Sequence, residues 1–252
     1  MMSSIMGFKN ENDIIKAINK KRYFRLNNNL KYNLKKIFEV ISPFARFYAK
    51  KCEEKYCKPD IVITHKSQTA YISIKSGHST TIHEEYLKSF ILFLRENGIS
   101  TETQKTIILF HYGDGTLNGT GKKRLSHSEI TISLASRIKT ANTELNSNKD
   151  LIKNFVNRVL FDGNKDFKEK ADCIYHGKVE LGIICTKKQI MQHITKKNYS
   201  HLNNLHIGPI MFYPYARYLD FRDTSPQKRN IVQFSWPNLV ADLEYISRRY
   251  EY

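Results

Sequence analysis

Lys58-Pro59-Asp60-Ile61-Val62-Ile63 is followed eight residues later by Tyr71-Ile72-Ser73-Ile74-Lys75 and then by His83-Glu84-Glu85. Both apolar runs are rich in β-branched residues, and the polar segment around Ser67 and Gln68 separates them, so together they predict a β-hairpin. A turn centred between Ser67 and Gln68 makes opposed residues sum to 135. Asp60 then faces Lys75, Val62 faces Ser73 and Thr64 faces Tyr71. Opposed residues share a sheet face, which places a carboxylate and an amine together at the open end, with Ile61, Ile63, Ile72 and Ile74 on the other face.

The stretch after the hairpin predicts a helix over 81–97, with Thr81 and Glu84 spaced as a capping box and Gly98 as the stop. Its first turn would return Glu84 or Glu85 to the same end of the sheet. A carboxylate pair there suits a divalent metal that prefers oxygen donors, with the Ile74 backbone carbonyl as a further ligand. Lys75 would orient the water that attacks phosphorus, and Mg²⁺ or Mn²⁺ would supply the charge neutralisation that phosphodiester hydrolysis requires.

At these residues the chain resembles the PD-(D/E)xK nuclease superfamily. Pro59-Asp60 matches the PD element, and Ser73-Ile74-Lys75 sits at the (D/E)xK position with serine in place of the acid. The resemblance covers about residues 29–112. It implies a restriction-endonuclease-like α/β core, a mixed central sheet flanked by helices, with an elaborated α+β C-terminal half. It also implies that the missing acid has moved to the following segment, at Glu85 with Glu84 as alternate. The family often carries a further acid on a helix before the PD element, for which Glu39 is the candidate. A type II restriction enzyme acting on double-stranded DNA, as a homodimer and beside a companion DNA methyltransferase, is the activity so implied.

Composition agrees with a polyanionic partner. The chain has 252 residues, and 41 Lys plus Arg against 24 Asp plus Glu give 41 − 24 = +17. Each cation that neutralises a phosphate releases counterions from nucleic acid. A hydrophobic fraction of 40% supports a real core, and 11 Gly with 6 Pro exclude collagen-like and low-complexity classes. No membrane span or secretory signal is readable, so a cytoplasmic protein is expected. Cys52 with Cys57 and Cys173 with Cys185 lack zinc-knuckle spacing, and no structural metal is expected from them.

The segment 113–121, GDGTLNGTG, misses the Walker pattern, since Thr116 stands at the first Gly and Lys123 at the Ser or Thr. It reads as a loop whose exit, Lys122, Lys123 and Arg124, contacts DNA phosphates. Tyr213, Tyr215 and Arg217 offer stacking and groove contacts further on. Helices are also expected over 11–19, 29–41 and 42–56, and a buried strand over 106–112. A single domain over 1–252 is expected, with recognition and dimerisation in about 113–252. A non-catalytic nucleic-acid-binding protein, or a structure-specific or exonucleolytic nuclease, is the alternative reading.

Overall fold

The computed structural model describes residues 2–38, 42–54, 57–77, 80–121, 124–163, 167–199, 204–215 and 226–249. In chain order the elements are α1 (Met2–Ile18), β1 (Lys21–Arg22), α2 (Asn28–Ile37), β2 (Arg46–Lys51), β3 (Ile61–His65), β4 (Gln68–Lys75), β5 (Thr81–Tyr86), α3 (Leu87–Glu96) and α4 (Thr101–Tyr112). There follow α5 (His127–Ser133), α6 (Ala135–Ser147), α7 (Lys149–Asn157), β6 (Cys173–His176), β7 (Ile183–Thr186), α8 (Lys187–Ile194), β8 (His206–Ile207), β9 (Ile210–Pro214), α9 (Pro226–Arg229), β10 (Ile231–Ser235) and α10 (Leu239–Arg249).

These elements group into two compact units, neither continuous in sequence. The first takes residues 1–79, 160–193 and 238–252, and the second takes 80–159 and 194–237. The expected core of 29–112 therefore draws on both.

The first unit holds a mixed sheet in the order β1-β2-β3-β4-β6-β7, in which only the β4–β6 pair is parallel. One face of it is covered by α1 and α2. Ile14 and Ile18 of α1, Leu30 and Leu34 of α2, and Phe38 pack on Phe47, Ile61, Ile63, Ile72, Tyr175 and Ile184. Each such side chain, fully buried, contributes about 1.5–3 kcal/mol. Asn27 caps α2 by accepting the Leu30 amide at 2.7 Å. The helix stops at Ile37, earlier than the expected Ile41, because Phe38 turns to extended backbone and sets its ring against Phe47 at 5.5 Å. On the other face, the Cys185 thiol of β7 donates to the Leu243 carbonyl of α10.

The hairpin forms, with a corrected register. Ile61 pairs with Ile72 and His65 with Gln68, so partners sum to 133 and the turn is Lys66-Ser67, with Lys66 at a left-handed φ of 53°. The shift is by two residues, and a two-residue shift preserves side-chain parity. The isoleucine face is therefore buried as expected, and Asp60 still shares its face with Ser73 and Lys75.

Three other local expectations are overturned. Within 42–56, residues 46–51 form a strand whose burial alternates, Phe47 and Ala49 in, Arg46, Tyr48 and Lys50 out. Residues 81–86 are the strand β5, paired antiparallel with β10, and the helix α3 starts only at Leu87. Residues 106–112 belong to the helix α4, capped by Ser100 at its start and ended by Gly113 at a φ of 62°. The run Thr106-Ile107-Ile108-Leu109-Phe110 is β-prone, but the buried set Thr103, Thr106, Ile107, Phe110 and His111 has helical spacing.

The second unit carries the sheet β5-β10-β9-β8. Its core is aromatic: Phe90 lies 5.0 Å from Phe234 and 5.2 Å from Phe212, and Phe155 lies 5.2 Å from Phe234.

Candidate active site

Asp60 immediately precedes β3, and its side chain bridges to β4. Oδ2 accepts the Ile74 amide at 2.6 Å and the Ser73 hydroxyl at 3.3 Å. Alternate residues of β4 address opposite neighbours. The Ile72 carbonyl accepts the Asp60 amide at 2.9 Å, whereas the Tyr71 and Lys75 carbonyls accept Asp172 and Gly177 amides beside β6. An extended residue directs its N–H and C=O to the same side, so the backbone of Ile74 faces Asp60. Ser73 is fully buried, and its hydroxyl is spent on orienting Asp60.

The structure adds an acid that the sequence reading missed. Glu11 of α1 lies one turn ahead of Ile14 on the stripe that continues through Ile18, and that stripe docks on the sheet. Its carboxylate pairs with Lys51 Nζ at 3.4 Å. Burial and then the Asp60 charge raise the Glu11 proton affinity, while Lys51 and Lys75 pull it down. Two carboxylates and two lysines thus share one electrostatic neighbourhood at the open end of the hairpin. An acid on a helix before the PD element was expected at Glu39, which lies outside the described residues. The signal for Glu11 was its i, i+3, i+7 spacing with two buried isoleucines.

Glu84 and Glu85 sit on β5, in the second unit. Glu84 Oε1 accepts from Gln233 at 2.7 Å on an exposed surface. Glu85 has no solvent-exposed side-chain surface, and Arg158 grips both oxygens, Nε on Oε1 at 3.2 Å and Nη2 on Oε2 at 2.6 Å. Arg158 also donates to Ser89 at 2.9 Å and stacks 5.1 Å over Phe93. A carboxylate held by a bidentate guanidinium already has its charge compensated.

Of the residues expected to meet DNA, Lys122, Lys123 and Arg217 lie outside the described residues. Arg124 is buried, and its guanidinium donates to the His111 and Phe110 carbonyls at the end of α4. Burial pushes its pKa down to about 10. In the loop before it, Asp114 accepts from Thr116 at 2.9 Å and from the Gly121 amide at 2.9 Å, tying both ends together. Tyr213 on β9 is half-buried with its ring 5.8 Å from His127, and Tyr215 is exposed.

Oxygen donors are what the first-unit site offers: Asp60, Glu11 and the Ile74 carbonyl. Donors of that type are the ones Mg²⁺ or Mn²⁺ takes.

No family model matches the sequence, and no curated protein gives a significant match to it. The fold has a solved counterpart in restriction endonuclease MspI, determined in complex with its cognate DNA. The match has a TM-score of 0.62 over 92% of this chain and 89% of that chain, at 11% sequence identity. The architecture is thus restriction-endonuclease-like, a mixed sheet flanked by helices. Among the described residues no helix is long and apolar enough to cross a membrane.

Proposed function

We propose that this chain is a metal-dependent endonuclease of double-stranded DNA, acting as a type II restriction enzyme. The observation that carries the proposal is the joining of Asp60 to the Ser73-Ile74-Lys75 strand, with Glu11 on the same electrostatic site. A restriction-endonuclease-like fold and a charge of +17 support the same substrate.

In this proposal Asp60, Glu11 and the Ile74 carbonyl hold the cation, and Ser73 fixes the Asp60 rotamer. The bound cation would neutralise charge on the scissile phosphate and lower the pKa of water. Lys75 projects on the Asp60 side of β4 and orients the attacking water by donating to its oxygen. Lys51 holds Glu11 in place and adds positive charge for the phosphate. Glu85 is assigned to the framework of the second unit rather than to the cation, because Arg158 occupies both its oxygens. Exposed Tyr215 remains available for groove contact, and a homodimer would present two such centres to the two strands.

The test is incubation of supercoiled plasmid and bacteriophage DNA with wild type and Lys75→Ala, each with Mg²⁺ or EDTA. Discrete fragments from wild type with Mg²⁺ alone are expected. DNA left intact in every lane, across methylated and unmethylated substrates, would overturn the proposal.

A further inference from the structure

Cys52 and Cys57 both lie in the connection between β2 and β3, and their spacing alone does not announce a metal site. The structure supplies a third donor from far along the chain. Cys52 Sγ, Cys57 Sγ and a carboxylate oxygen of Glu169, just ahead of β6, all lie within 4.8 Å of one another. Both cysteines are free thiols. Glu169 Oε2 is shut off from solvent and has no hydrogen-bond partner among the described residues, although the Cys52 thiol interacts with the Glu169 carboxylate and the Glu169 amide donates to Glu54 Oε2 at 3.0 Å. A buried carboxylate oxygen left without a donor is costly. A cation at the centre of the three groups would remove that cost.

We infer that Cys52, Cys57 and Glu169 form a binding site for a thiophilic divalent cation of the Zn²⁺ type, held by two sulfurs and one oxygen, with solvent in the fourth position. In a tetrahedral site with Zn–S near 2.3 Å and Zn–O near 2.0 Å, donors stand about 3.5–3.8 Å apart. Binding would draw the three donor atoms inward from their separation of up to 4.8 Å. Loading sends one proton from each thiol to solvent, so affinity rises with pH. Donor chemistry separates this site from the oxygen donors around Asp60, which suit Mg²⁺.

The site has a structural consequence. The Cys52 amide donates to the Asp60 carbonyl at 3.1 Å, at the neck of the β2–β3 loop. A cation joining Cys52, Cys57 and Glu169 would clip that loop to the segment leading into β6, and so fix the backbone that presents Asp60.

Co²⁺, a spectroscopic stand-in for zinc, tests this without reference to DNA cleavage. The full chain is stripped with a chelator, kept in a reductant that does not bind metal, and titrated with Co²⁺. A near-ultraviolet thiolate-to-cobalt band saturating at one Co²⁺ per chain is expected, bleached by one equivalent of Zn²⁺. Asp60→Asn should keep the band, Cys52→Ser with Cys57→Ser should abolish it, and Glu169→Gln should weaken affinity by at least about tenfold. Circular dichroism establishes that each variant is folded, and the single Cys57→Ser gives a milder second probe. A wild type with no thiolate band, or a band that survives loss of both cysteines, overturns the inference.

Discussion

The Asp60 carboxylate and the Ile74 amide lie 2.6 Å apart, so the loop before β3 is locked onto β4 one residue ahead of Lys75. One oxygen of Asp60 takes both the amide and the Ser73 hydroxyl. Its other oxygen is thereby aimed, and serine at position 73 gains a purpose that an acid there would not serve. An acid would set a second negative charge against Asp60, whereas a hydroxyl donates to it. Ser73→Ala should lower cleavage modestly and cost roughly 1 kcal/mol of stability, the size of one net hydrogen bond. Ser73→Asp should be the more harmful change. Denaturant melts and initial cleavage rates check both, and an undiminished rate in Ser73→Ala would remove the orienting role.

Lys75→Ala should reduce cleavage by roughly 10²–10⁴-fold while leaving DNA affinity nearly intact, as the proposed role on the attacking water requires. Gel-shift measurements in Ca²⁺ separate binding from cutting. A proportional loss of binding would recast Lys75 as a phosphate contact.

Glu11→Gln should slow cleavage and raise the Mg²⁺ concentration needed for half-maximal rate. It should also raise the Tm of the metal-free protein near neutral pH, because burial and Asp60 make the ionised Glu11 unfavourable in the folded chain. Opposite signs for activity and stability mark a group kept for function. A lowered Tm together with an unchanged rate would assign Glu11 to the Lys51 ion pair alone.

Much of this site was legible because parity survives error. The hairpin turn is one residue earlier than the polar segment suggested, which moved every partner by two and left Asp60, Ser73 and Lys75 on one face. The acid proposed to complete it was harder to place, since Glu11 comes under the charge of Asp60 only through the docking of α1, some fifty residues earlier in the chain. Residues 81–86 show the opposite failure. Thr81 and Glu84 carry a local helix signal, but pairing with β10, about 150 residues on, outweighs it. There the local helix signal lost to a ladder partner from distant sequence.

Glu85 and Arg158 form a bidentate pair, at 3.2 and 2.6 Å, with Glu85 wholly enclosed. Removing one partner from such a pair strands the other charge, so Glu85→Ala should cost roughly 3–5 kcal/mol. Replacing both, as Glu85→Leu with Arg158→Met, should recover most of that loss. Unfolding curves for the two singles and the double check this. If Glu85→Gln instead folded normally and lost only Mg²⁺-dependent cleavage, Glu85 would return as the metal ligand that the sequence first suggested.

His111 should make the protein acid-sensitive. It is buried in α4, with Nε2 2.7 Å from the Arg229 carbonyl, to which it donates, while Nδ1 is buried without a partner among the described residues. Burial pushes its pKa down to about 4, and the nearby Arg124 charge acts in the same direction. The unfolded chain binds a proton near pH 6.5 that the folded chain refuses until about pH 4. The stabilising contribution is therefore complete above pH 6.5 and lost as pH falls through that window. At 1.36 kcal/mol per pKa unit the full loss approaches about 3 kcal/mol. His111→Gln retains a donor toward Arg229 but cannot take up the proton. Its stability should fall by roughly 2–3 kcal/mol less than that of wild type between pH 7 and pH 4.5, measured by urea unfolding, and parallel losses in the two proteins would exclude His111 as the source.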